Sequence, residues 1–158
     1  MARVTPVAIA LGSNVGDREQ HLRDALAALA PYASRLRLSS FHETEPVGMT
    51  GPQRHVVNAA ATADTALSAR ELLDRMLAIE TALGRERPHP GAARTVDLDL
   101  ILYGDSIIDD PPRLIVPHPR FRERAFVLEP LAEIAGDWID PGTGRTIAEL
   151  LQALPRGR

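Results

Sequence analysis

Thr95-Val96-Asp97-Leu98-Asp99-Leu100-Ile101-Leu102-Tyr103 reads as a β-strand of alternating character. Strand side chains point to opposite faces in turn. Val96, Leu98, Leu100 and Leu102 therefore fall on a core side, and Asp97 and Asp99 on the other, about 6.5–7 Å apart. Upstream, Leu67 to Leu83 has the clearest helical periodicity, opened by Ser68 with Glu71 three residues on, a capping box, and closed by Gly84. His55 to Ala63 and the partly alternating Arg35 to Thr44 read as strands, separated by a loop over residues 45–52. Val7 to Leu11 is a short buried strand, followed by turn chemistry in Gly12 to Asp17, where Asp17 or Asn14 can cap a helix. That helix spans 18–30 and carries Leu22, Ala25, Leu26 and Leu29 on one face. The order strand–helix–strand–strand–helix–strand is the split pattern of a ferredoxin-like α+β sandwich, with helices packed on one face of an antiparallel sheet.

The remainder is less regular. Arg85 to Arg94, with Pro88, Pro90 and Gly91, reads as a loop. Ile107 and Ile108 begin a short strand interrupted by Asp109-Asp110-Pro111-Pro112, and Leu114 to Pro119 is extended. Residues 125–135 read as a helix despite Pro130, and 146–153 as a last short one. No linker or repeat divides the chain, so residues 1–158 are expected to form a single domain.

Composition narrows the function classes. With 44% hydrophobic and 25% charged residues the chain is an ordinary globular one. No apolar run approaches a membrane span, and the N-terminus lacks the apolar core of a signal peptide, so a cytoplasmic protein without membrane contact is expected. There is no cysteine, which excludes disulfides, thiolate nucleophiles and cysteine-based zinc sites. All 18 basic residues are Arg. A Walker-A loop needs its Lys, so phosphate must be handled by Arg, metal or backbone amides.

Chemistry concentrates around the acidic strand. Two carboxylates held side by side repel unless a cation sits between them, and Mg²⁺ is commonly bound by one or two carboxylates plus substrate phosphates. Arg85, Arg87, Arg94, Arg113, Arg120, Arg122 and Arg124 surround the pair, seven of the 18 arginines within forty residues. Acids for Mg²⁺ with guanidinium forks for phosphate is the combination phosphoryl transfer requires; two or three of the seven arginines are expected to do ordinary surface duty. Glu80 falls inside the apolar stripe of its helix, at the edge of the core or aimed at a partner such as Arg85 or a nucleotide. Asn58 stands in an otherwise apolar strand, where a flat heterocycle or a loop backbone could satisfy its amide. His118 is presented rigidly between Pro117 and Pro119.

These blocks, from Ala10-Leu11-Gly12-Ser13-Asn14 through Glu43-Thr44-Glu45-Pro46-Val47-Gly48, Val57-Asn58-Ala59-Ala60, Ile79-Glu80, Arg94-Thr95-Val96-Asp97-Leu98-Asp99 and Val116-Pro117-His118-Pro119 to Arg124-Ala125-Phe126, resemble the 6-hydroxymethyl-7,8-dihydropterin pyrophosphokinases in content and order. The resemblance implies a folate-biosynthesis kinase that moves pyrophosphate from ATP to the pterin, releasing AMP. By it, Asp97 and Asp99 hold two Mg²⁺ ions, with Arg85 and Arg94 acting on the transferred group. Glu80, Arg87, Arg113, His118 and Arg124 match ATP contacts. Thr44, Val47, Val56, Asn58 and Phe126 match the pterin site, although many members carry an aromatic where this chain has Val56, and some carry Trp in the loop that here has none. The loop over 84–94 is expected to act as a lid that excludes water. A monomer is expected, since no long exposed apolar stripe is evident. Another nucleotide-dependent transferase on the same fold is the enzyme alternative. An RNA-binding module is the non-enzyme alternative, disfavoured by six aromatics in the chain and a formal charge of −3.

Overall fold

The computed structural model describes residues 3–44, 56–84 and 95–155. Strand β1 (Thr5–Ser13) leads into helix α1 (Arg18–Leu29), whose first turn is capped by Asp17 Oδ1 accepting from Gln20 N–H at 3.2 Å. β2 (Ser34–Leu38) and β3 (His42–Thr44) follow, then β4 (Val56–Thr65) and α2 (Ala69–Gly84). The capping box of α2 forms as expected: Glu71 N–H donates to Ser68 Oγ at 3.1 Å, and Ser68 N–H donates to Glu71 Oε1 at 2.9 Å. β5 (Asp97–Tyr103) carries the acids; β6 (Ile108–Asp110) and β7 (Leu114–Val116) form a separate antiparallel ribbon. A 3₁₀ turn (Phe121–Glu123) runs into α3 (Ala125–Ala135), and α4 (Ile147–Gln152) closes the described chain.

The main sheet has the order β2-β4-β1-β5, with β3 also paired to β4, and every pairing is antiparallel. This is the strand order of a ferredoxin-like sandwich. The single strand expected over 35–44 is two strands: the chain breaks at Ser39–Phe41, where Ala60 N–H donates to the Ser39 hydroxyl at 2.9 Å. Arg35 has a positive φ of 54°, and the β2–β4 register shifts between Ser34 and Arg37.

Two corrections concern the faces of the sheet. Helices cover both, not one. Val7, Ile9, Leu11, Val57, Ala59 and Ala61 pack with Leu22, Leu29, Leu72 and Met76 of α1 and α2. On the opposite face Ala8, Ala10 and Ala60 pack with Val127, Leu128 and Leu131 of α3 and with Ile147 of α4. Alanines there let α3 approach the sheet closely, and the apolar run Ala59-Ala60-Ala61 is what burial on both faces demands. The second correction is Leu102. Ile9 pairs with Leu100 but Ala8 with Leu102, so Ile101 is an extra residue in a β-bulge. The alternation resets there. Leu98 and Leu100 enter the α1/α2 core, whereas Ile101 and Leu102 both enter the α3/α4 core.

The turn before α3 is anchored twice. Phe121 is fully buried, and its truncation to Ala costs about 3–5 kcal/mol by the usual measure of lost core aromatics. Beside it, Asp140, also fully buried, accepts from Arg122 Nη2 at 2.8 Å, Gly142 N–H at 2.9 Å and Thr143 Oγ1 at 2.7 Å. Burial opposes ionisation of Asp140, but these donors outweigh it and hold the carboxyl below its ordinary value. Arg122 is thus one of the arginines with a structural duty.

Candidate active site

Register places the polar residues in one row. On the α3 face of the sheet His42 pairs with Asn58, Asn58 with Gly12, and Gly12 with Asp97. The next row is Ala60, Ala10 and Asp99. Neighbouring strands lie about 4.8 Å apart, so roughly 9–10 Å separates Asn58 from Asp97 across the bare backbone of Gly12. A Cβ on Gly12 would stand 3.3 Å from Asn58 Oδ1 and 3.6 Å from a Val56 methyl. The missing side chain keeps this stretch open. Gly12 was not among the expected site residues, though a glycine inside a strand often marks close approach of another group.

Two cavities meet at the acids. The first, about 680 Å³, is lined by Leu73, Leu77 and Glu80 of α2, by Arg113 to Val116, and by His118 and Pro119. The second, about 630 Å³, is lined by Ala10 to Gly12, Thr44, Val56, Asn58, Arg120, Glu123, Arg124, Phe126 and Val127. Asp97 and Asp99 line both. The edge position of β5 makes this possible, because among the described residues no strand pairs beyond it and cavities can form on either side. Asp97 is exposed and Asp99 half-buried. Among the described residues no third carboxylate or histidine completes a metal cluster with them. Such a pair fits a cation that keeps open positions for ligand oxygens, as Mg²⁺ does when phosphates complete its octahedron.

The first cavity is framed by bonds to backbone. Glu80 Oε2 accepts from Leu98 N–H at 2.7 Å, between the two acids. The partner sought for Glu80 is therefore at least in part the acidic strand itself. His118 N–H donates to Ile101 C=O at 3.0 Å, which ties the Pro-His-Pro segment to β5. Arg120 N–H donates to His118 Nδ1 at 3.2 Å, so Nδ1 is an acceptor and a neutral ring carries its proton on Nε2. Burial lowers the His118 pKa; Asp99 opposes that, while Arg124 and Arg120 add to it.

The second cavity is framed by side chains. Asn58 Nδ2 donates to Thr44 Oγ1 at 2.8 Å, which fixes the orientation of a buried amide. Phe126 is half-buried on α3, and the Arg124 guanidinium lies 5.5 Å from its ring centre. Val56, where the resemblance led one to expect an aromatic, pairs with Thr44 and offers only an aliphatic wall.

Of the expected site residues, Asp97, Asp99, Glu80, Arg113 and His118 meet around the first cavity. Thr44, Val56, Asn58 and Phe126 meet around the second, and Arg124, expected with the nucleotide, lines this one. Arg85, Arg87, Arg94 and Val47, with the lid expected over 84–94, lie outside the described residues apart from Gly84. Arg120 and Glu123 carry no individual signal in the sequence. Only the structure shows that the turn anchored by Phe121 delivers them to the cavity wall.

Comparison with known proteins gives consistent matches. Residues 8–136 match the family model described as 7,8-dihydro-6-hydroxymethylpterin-pyrophosphokinase. The chain is 43% identical over 146 residues to the 2-amino-4-hydroxy-6-hydroxymethyldihydropteridine pyrophosphokinase of Synechocystis, a match covering 91% of this chain and 73% of that one. It is 48% identical over 128 residues to the enzyme of the same name from Bacillus subtilis, covering 80% and 75%. Among solved structures, the Plasmodium falciparum HPPK-DHPS A437G protein with SDX-DHP superposes with a TM-score of 0.76 at 13% identity, over 96% of this chain and 46% of that one. The chain thus spans less than half of that longer protein, and the likeness to it is one of fold.

Proposed function

The chain belongs to the 7,8-dihydro-6-hydroxymethylpterin-pyrophosphokinase family, ATP-dependent transferases of folate biosynthesis, and from that premise we propose how its own residues carry the reaction. The nucleotide occupies the first cavity and the pterin the second. The observation that carries this assignment is that Asp97 and Asp99 line both cavities, so the reacting ends of two substrates meet at one acidic pair.

The donor's phosphates lie along Asp97, Asp99, Arg113 and His118, with its nucleoside end toward Leu73, Leu77 and Glu80. The neutral His118 offers an Nε2–H donor to phosphate oxygen. The acceptor lies across Gly12. Its ring edge is read by the Asn58 amide at one end, and its hydroxymethyl group reaches the acids about 9–10 Å away. Phe126 stacks on one side of the ring and Val56 supports the other. Arg85, Arg87, Arg94 and Val47 complete the site in the roles the family resemblance gives them. Arg124, beside Phe126, neutralises charge on the transferred group.

Mg²⁺, two ions held by Asp97 and Asp99, supplies electrostatic stabilisation of the phosphate oxygens when bound. The protein's own contribution is positioning and charge neutralisation, since this transfer leaves little covalent work for side chains. The acceptor hydroxyl oxygen bonds to the β-phosphorus of ATP as the bond from that phosphorus to the α,β-bridging oxygen breaks; AMP leaves with that oxygen, and the hydroxyl proton is released. The chain works as one domain over 1–158, as a cytoplasmic monomer. Among the described residues no helix is long and apolar enough to cross a membrane.

The test is AMP release from Mg·ATP with and without 6-hydroxymethyl-7,8-dihydropterin. AMP formed only when both substrates and Mg²⁺ are present is the expected result. AMP formed equally without the pterin would overturn the acceptor assignment.

A further inference from the structure

Outside the two cavities, Ser40, His42 and Glu133 form a cluster that the proposed reaction does not use. Glu133 lies on α3, and the other two on and just before β3. Ser40 N–H donates to Glu133 Oε1 at 2.9 Å, and the Ser40 hydroxyl lies 2.9 and 2.8 Å from the two carboxylate oxygens. His42 Nε2 is 2.5 Å from Glu133 Oε2 and 3.3 Å from Ser40 Oγ. The hydroxyl and the acid therefore face the same ring nitrogen. A Ser–His–acid nucleophile needs them on opposite nitrogens, so the cluster is not one.

What it joins is more informative. β3 has three residues and, among the described residues, pairs only with β4. Its Thr44 orients the Asn58 amide, and its His42 sits directly opposite Asn58 in the register. The helix bearing Glu133 also presents Phe126 and Val127 to the same cavity. Beyond the apolar packing of α3 on the sheet, a polar brace on the Glu133 carboxylate thus fastens β3 to the helix wall of the second cavity. Burial opposes ionisation of Glu133, but the Ser40 hydroxyl, the Ser40 N–H and His42 outweigh it and keep the carboxyl below its ordinary value.

We infer that Glu133 and His42 are positioning residues for the acceptor, setting the gap between the Asn58 amide on the strand side and Phe126 on the helix side. The inference rests on the reading of the second cavity as the acceptor site. They touch neither substrate. Loss of the brace lets β3 and α3 part, which loosens acceptor binding and leaves the first cavity alone.

The experiment compares wild type with Glu133→Ala, His42→Ala and His42→Gln, measuring AMP release while each substrate is varied in turn. Glu133→Ala should raise the acceptor KM about tenfold and leave the Mg·ATP KM within about twofold, a split that general destabilisation does not produce. His42→Gln keeps an N–H donor at similar reach and should recover most of what His42→Ala loses. Both KM values rising together, or an unchanged acceptor KM, would overturn the inference, and the His42 pair decides it if Glu133→Ala fails to fold. Pterin-independent or absent AMP release by the wild type is a separate failure: it removes the acceptor reading and the inference with it.

Discussion

The two cavities share their acidic wall and differ in how the rest is held. Around the first, the bonds run to main chain: Glu80 to Leu98 N–H, His118 N–H to Ile101 C=O, and His118 Nδ1 from Arg120 N–H. Around and beside the second they run mostly between side chains: Asn58 to Thr44, and the Ser40 hydroxyl and His42 to Glu133, with the Ser40 N–H the one main-chain donor among them. Main-chain bonds fix a shape that most substitutions nearby leave intact. Side-chain bonds fix one that single substitutions can retune. A phosphate chain with its metal is the same for every nucleoside triphosphate, whereas a heterocycle must be told from its analogues, and under the proposed assignment of the two cavities the construction follows that division of labour.

The largest effect should come from the shared wall. Asp97→Asn or Asp99→Asn is expected to lower turnover by about a thousandfold or more, the scale of losing a principal electrostatic element. The circular dichroism spectrum and the thermal midpoint should barely change, because both carboxylates lie outside the packed core. Near-normal turnover in either variant would break the claim that both cavities depend on this pair.

An intermediate effect is expected at Glu80. Glu80→Ala deprives the Leu98 N–H of its carboxylate, which costs about 1–3 kcal/mol where the donor stays dry. The Mg·ATP KM should rise more than the acceptor KM, and Glu80→Gln, which keeps an acceptor, should retain most of the stability. Urea unfolding and the two KM values measure this. A larger change in the acceptor KM would place Glu80 on the wrong side of the comparison.

The smallest effect tests the retunable cavity. Val56→Tyr supplies the aromatic wall that the family resemblance leads one to expect, and an aromatic pair is worth about 0.5–1.5 kcal/mol beyond area burial. Pterin affinity, read by fluorescence titration, should tighten by roughly two- to tenfold, with Mg·ATP binding unchanged. Weaker pterin binding would mean that the cavity is already filled by Val56 against Phe126.

Much of this is legible in the sequence. The order of elements, the α2 capping box and the Asp97/Asp99 alternation are local signals, and each appears where the sequence places it. The second helical layer was not legible, because the Ala8, Ala10 and Ala60 face reads the same whether small residues admit a helix or merely fill a strand. Nor was the fate of Leu102, since a bulge depends on the partner strand and not on the residue itself. Glu80 was visible as misplaced in its stripe, but its donor comes from Leu98, 18 residues away, which periodicity cannot reveal. Glu133 gave no signal at all. It is one exposed acid among many until the fold sets Ser40 and His42 against it.

The extra residue Ile101 has a further consequence for how this chain can change over time. Before it, β5 answers to α1 and α2; after it, to α3 and α4. The strand is in effect two short phrases spliced at a joint, and the acids belong wholly to the first. Substitutions that remodel the C-terminal helices press on Leu102 and not on the spacing of Asp97 and Asp99. Away from Phe126, Val127 and Glu133, that end of the molecule is therefore free to drift in size and composition while the spacing of the two acids upstream stays in frame.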